Sequence, residues 1–312
     1  MNSPKNANFF MFIIMIFTIL IGNILLINLF SEIMPFMLKP ENFWLLQSTY
    51  SIICFILPII LYVVFKKINI KEAIPLKPLS LKNIFITIIM SFSIMPLANL
   101  ISAITDLFFK NEIVDSLYDS SNLGLFKSLF STAIIPAITE ELAFRGVILS
   151  GYKKNSLLTG ALISSFYFGI MHLTFTQLFF AIILGIFFTY LVRVTKSLYS
   201  SMLMHFLINS TSVISLYSLA KKSPDTVLNE LSKQTTAIDI LPFFVMFLLS
   251  LPFLLISIFL FIKVNKEEIK ELKNENISIK NSQDKPKIFT AFFFVNIIIF
   301  ILFMAFKSII RQ

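Results

Sequence analysis

Only two of the seventeen acidic residues, Glu140 and Glu141, fall inside a long apolar run. The only two histidines of the 312-residue chain, His172 and His205, fall inside two others. An ionisable side chain costs at least ~2.5–3.5 kcal/mol at the centre of a bilayer, so a group retained there usually has a task. Two carboxylates, Arg145 and two imidazoles in one stretch of sequence suit the activation of water or the movement of protons.

Spacing divides these residues into roles. Glu141 and Arg145 are four apart, so on a helix they share a face and can pair. Glu140 is rotated by about 100° from that face and stays free for another purpose. Adjacent carboxylates in a low dielectric repel, which suits one of them to accept a proton as a general base. Pro136, one turn earlier, is expected to kink the helix and free backbone groups near the site. A structural salt bridge with a spare, protonated glutamate would account for Glu141 and Arg145 but leaves Glu140 unexplained. Phe168 and His172 are also four apart, so the ring can wall a site beside the imidazole; a lone histidine in an apolar helix is more often simply packed. His205 and Asn209 repeat the spacing. Both side chains can donate hydrogen bonds and together could stabilise an oxyanion. Their bland alternative is an interhelical clamp worth ~0.6 kcal/mol per hydrogen bond. Each pair is weak evidence alone, whereas the three together point to one site.

The elements that carry these residues are membrane spans. The chain is 57% hydrophobic, has 37 Phe and 12 Met, a mean hydropathy of +0.86 and only 14% charged residues, against about 25% in soluble domains. Apolar segments lie at 9–30, 43–65, 83–104, 123–150, 157–175, 177–194, 198–219, 240–262 and 288–306. Several reach the ~20 residues a spanning helix needs. The expected fold is all-α, a polytopic membrane bundle of eight or nine helices forming one integral-membrane domain over 1–312. Segment 157–194 is readable as two tilted helices or as including a re-entrant piece.

The net charge of +9 reflects lysines in alternate short loops, so no nucleic-acid partner is expected. Lys66, Lys67, Lys71, Lys77 and Lys82, then Lys153 and Lys154, then Arg193 and Lys196, then Lys263, Lys266, Lys270 and Lys273 mark one side of the membrane. Asp106, Glu112, Asp115 and Asp119 lie on the other. This places the N-terminus in the cytoplasm, with only the Lys307–Arg311 tail opposed. Lys5 and the run Phe9–Phe30 resemble a secretory signal, but the run is too long and lacks a cleavage site, so a retained first span is expected. Residues 263–287 form a polar cytoplasmic segment, expected as a solvated helix or a mobile linker. The single Cys54 excludes an internal disulfide. Five of the seven glycines fall between Gly146 and Gly185, which favours close helix packing there.

Glu140-Glu141-x-x-x-Arg145, Phe168-x-x-x-His172 and His205-x-x-x-Asn209, in that order on three membrane helices, resemble the CAAX-protease and bacteriocin-processing family. That family includes the type II CAAX prenyl endopeptidases and the bacterial Abi-type proteins. The resemblance covers a catalytic core at about 125–215. It implies that Glu140 and His172 activate water against a peptide carbonyl, that His205 and Asn209 stabilise the oxyanion, and that Glu141 and Arg145 support Glu140. A metallopeptidase reading would make Glu140, His172 and His205 zinc ligands. No cofactor is favoured, because His-Glu-x-x-His is absent and an amide suits hydrogen-bond donation better than zinc ligation. The expected function is an intramembrane endopeptidase acting on a membrane-associated or prenylated peptide. The alternatives are a non-catalytic immunity or binding protein and a proton-coupled transporter, the latter disfavoured by the lack of internal repeats. A serine–histidine dyad using Ser164 or Ser165 would leave Glu140, Glu141 and Arg145 without a role.

Overall fold

The computed structural model describes residues 2–20, 32–109, 123–222, 235–281 and 286–310. These are helical throughout apart from turns and one isolated bridge between Leu76 and Ser197. In chain order the helices are α1 (Pro4–Ile16), α2 (Pro40–Lys66), α3 (Leu81–Asp106), α4 (125–150), α5 (Leu157–Met171), α6 (Phe175–Thr195), α7 (Leu198–Lys222), α8 (Ile240–Val264), α9 (Lys266–Asn281) and α10 (Ala291–Ile310).

Six of these, α2, α3, α6, α7, α8 and α10, are long and apolar enough to cross a membrane. Among the described residues, length and composition do not confirm the expected count of eight or nine spans. α5 has only 15 residues, about 22 Å at 1.5 Å per residue, less than a ~30 Å hydrocarbon core. α4 carries Lys127, Glu140, Glu141 and Arg145. Much of the expected first span, 21–31, lies outside the described residues, as do Glu112, Asp115 and Asp119. The chain is nonetheless an all-helical, multi-pass membrane protein.

α5 and α6 form a tight hairpin. α5 ends at Met171, Leu173 takes a left-handed backbone (φ 54°), and Thr174 caps α6 by accepting a hydrogen bond from the Gln177 N–H at 3.3 Å. Gly169 lets the two helices touch: a Cβ there would lie 2.8 Å from the Leu178 carbonyl oxygen. Segment 157–194 is thus two helices that turn beside His172.

Polar clamps join helices whose apolar surfaces provide little selectivity against lipid. Asn8 on α1 donates to the Ile288 carbonyl and accepts from the Tyr167 hydroxyl at 2.8 Å and from that of Tyr152. Asn83 on α3 and Asn265, at the end of α8, exchange amide hydrogen bonds of 2.9 and 2.8 Å in a buried pair. A double-mutant cycle with Asn83→Ala and Asn265→Ala is expected to give a coupling of about 0.6–1.7 kcal/mol in thermal unfolding. Strictly additive losses would show that the pair contributes nothing jointly.

The polar segment after α8 forms helix α9 across the ends of α5 and α6. Lys196 meets Glu271 at 2.7 Å and Arg193 meets Glu275 at 3.7 Å. Asn276 accepts from the Leu157 N–H at 2.7 Å. The hydrogen bond from Lys196 holds the exposed Glu271 carboxyl below its ordinary range.

Candidate active site

α4 does not run as a uniform helix. Wider, π-type turns occupy Phe130–Ile134 and Leu142–Ile148, on either side of the regular segment Ile135–Glu141 that carries both glutamates. Such turns rotate side chains out of register and recur at functional sites. Here they accompany a clear division. Glu141 is fully buried, whereas the Glu140 side chain is 18% exposed and lines a cavity of about 520 Å³.

That cavity brings together Glu140, Phe168, His172, His205 and Asn209, contributed by α4, α5 and α7. Helices α2, α3 and α6 complete its walls, mostly with apolar groups such as Phe55, Met95, Ala98 and Leu184. His172, just past the end of α5, and His205, seven residues into α7, thus line the same cavity. The short α5 brings its C-terminal residue to the level of the first turns of α7.

Hydrogen bonds fix both imidazoles. His172 Nδ1 lies 2.9 Å from the Phe168 carbonyl oxygen. A carbonyl only accepts, so Nδ1 carries the hydrogen and Nε2 of the neutral ring is left with its lone pair. His205 Nδ1 lies 3.0 Å from Glu141 Oε1, and its Nε2 lies 3.9 Å from Glu140 Oε2. The same Glu141 oxygen accepts from Arg145 Nη1 at 2.9 Å, with both side chains fully buried. Glu141 is thus shared between the cation on its own helix and the imidazole on α7.

Aromatic rings hold this arrangement. The Arg145 guanidinium lies over Phe168 at 4.3 Å and over Phe188 at 4.9 Å. Phe188 also stacks on the His205 ring at 5.3 Å, and Phe168 meets the His172 ring edge-on at 4.9 Å. Gly185, one turn before Phe188, leaves room for the guanidinium: a Cβ there would come within 3.0 Å of Arg145 Nη2 and 2.8 Å of Ser165 Cβ. Nothing in the sequence distinguishes Phe188 among 37 phenylalanines, and only packing reveals it.

Asn209 donates through Nδ2 to the Thr132 carbonyl at 3.1 Å. Pro136, four residues after Thr132, has no N–H to offer that carbonyl. Beside Glu140, Thr139 and Ser51 share a 2.9 Å hydroxyl contact that joins α4 to α2.

Among the described residues, no three His, Cys, Asp or Glu side chains converge closely enough to ligate one ion, Glu140, His172 and His205 included. The arrangement does place a carboxylate, two imidazoles and an amide around a common space. Residues 122–211 match a sequence family, and that family is the Rce1-like type II CAAX prenyl endopeptidases. The match covers α4 to α6 and the first half of α7, with Glu140, Phe168, His172, His205 and Asn209 among its residues, and supports a membrane-embedded peptidase. Neither a curated protein nor a solved structure is significantly similar to the chain.

Proposed function

We propose that the protein is an intramembrane endopeptidase that hydrolyses a peptide bond in a membrane-associated or prenylated peptide, with water as nucleophile. The observation that carries this reading is the convergence of Glu140, His172, His205 and Asn209 on one apolar-walled cavity, with the Glu141–Arg145 pair buried behind them. A catalytic carboxylate requires such support. In this reading Glu140, assisted by the free Nε2 of His172, takes a proton from water as its oxygen attacks the scissile carbonyl. The carbonyl π electrons move to oxygen, and the oxyanion meets Asn209 Nδ2–H and His205. A donor role for His205 Nε2 requires the ring to carry both protons, with Glu141 as counter-charge at Nδ1. Collapse of the tetrahedral species returns the proton to the leaving amine, and no covalent enzyme intermediate forms. The apolar walls suit a lipid-modified or hydrophobic peptide. The N-terminus lies in the cytoplasm, as the lysine-bearing loops indicate.

The test is cleavage of a quenched fluorescent prenyl-peptide by the purified protein in detergent, with and without a chelator. Cleavage indifferent to chelator supports the glutamate-activated water, and chelator-sensitive cleavage supports a metal-dependent reaction instead. Absence of cleavage, also with unprenylated hydrophobic peptides, would favour a non-catalytic binding protein. Within the same assay, His205→Ala is expected to lower kcat by about 10²–10³-fold, the usual loss for one oxyanion donor, with little change in KM. An unchanged kcat would remove His205 from the reaction.

A further inference from the structure

A second cavity, of about 430 Å³, lies at the lysine-bearing end of the bundle, between the segment around Lys71, the end of α4, the end of α6 and α9. Its cations are Lys71, Arg145, Lys153, Arg193 and Lys196, against the two carboxylates of Glu72 and Glu275. Three of the cations have anionic partners: Arg145 has Glu141, Lys196 has Glu271, and Arg193 has Glu275 at 3.7 Å. Lys71 and Lys153 have no carboxylate at ion-pair distance among the described residues; the Lys153 ammonium donates only to the backbone carbonyl of Glu72. Arg145 forms part of the wall, and its Nε and Nη2 have no hydrogen-bond acceptor. The cavity therefore has uncompensated positive charge.

A third cavity, of about 520 Å³, adjoins it on the other side of Leu272, which lines both. Its walls are largely apolar, formed by residues such as Phe187, Leu191, Ile258, Phe261 and Ile269, with Tyr190, Lys273 and Asn276 its polar members. α6 presents Arg193 and Lys196 to the cationic cavity and Leu191 and Val194 to the apolar one. Two adjacent spaces of opposite character, at the end of a membrane bundle, match the two halves of an amphiphile. Basic pockets between spanning helices on this side of membrane proteins take phosphate-bearing headgroups.

We infer that these paired cavities bind one acidic glycerophospholipid, its phosphate among Lys71, Lys153 and Arg193 and an acyl chain in the apolar space beside α9. Charge complementarity selects the anionic headgroup, and the adjoining apolar space selects an intact lipid over a free anion. The site is separate from the catalytic cavity, although Arg145 forms part of its wall, and so does not depend on the hydrolytic reading.

Native mass spectrometry and thermal unfolding of the full chain in detergent test it, with phosphatidylglycerol, phosphatidylcholine or glycerol phosphate added. Retention of phosphatidylglycerol alone, with a raised Tm, is the expected result. Equal retention of phosphatidylcholine would overturn the role of the cations. An equal Tm shift from glycerol phosphate would overturn the role of the apolar cavity. The variant Lys71→Gln/Lys153→Gln is expected to weaken phosphatidylglycerol retention at least fivefold while leaving the lipid-free Tm unchanged. Retention equal to wild type would also refute the site. The lipid competition on wild-type protein decides the matter even if that variant folds poorly.

Discussion

Glu140→Gln is expected to lower hydrolysis by about 10²–10⁴-fold, the usual contribution of a general base, without lowering the amount of folded protein in the membrane. The substitution keeps the shape of the side chain and removes only its ability to take a proton. Glu140 lines the cavity, and the nearest imidazole nitrogen, His205 Nε2, is 3.9 Å away, so no close ion pair is broken. Turnover and Tm measured on the same preparation separate the two effects. Full activity in this variant would eliminate Glu140 as the base. A parallel loss of Tm would show that it acts through the fold.

Arg145→Ala is expected to have the opposite signature, a loss of the folded protein itself. It leaves the Glu141 carboxylate fully buried with no cation on its own helix, and breaking one side of a buried pair costs about 3–5 kcal/mol. It also empties the space between Phe168 and Phe188, where a desolvated cation–π contact is worth up to about 2 kcal/mol. Arg145→Lys should fall between the two, because it keeps a charge near Glu141 but not the planar group that both rings cover. Removing both charges with Glu141→Gln/Arg145→Met should recover part of the stability and none of the activity, since His205 then loses its carboxylate. Thermal unfolding in detergent reads all three variants, and an unchanged Tm in Arg145→Ala would contradict the structural role of the pair.

What depends on helix periodicity was legible before any fold was known. Glu141 meets Arg145, Phe168 meets His172, and Glu140 is turned away from Glu141, because the backbone repeat sets neighbours four residues apart wherever a helix forms. The membrane setting was equally legible, since apolar runs flanked by lysines follow from transfer free energy. Hydropathy registers apolar composition and not where a helix stops; the left-handed Leu173 and the Thr174 cap end α5 after fifteen residues. Helix packing alone shows that Glu141 also holds His205, that Phe188 covers both Arg145 and His205, and that the Thr132 carbonyl orients Asn209. These contacts join residues from different helices. They are set by how near-identical apolar surfaces pack, with small residues such as Gly185 governing the approach, and a sequence of many equivalent phenylalanines and leucines carries no local mark of which of them will meet.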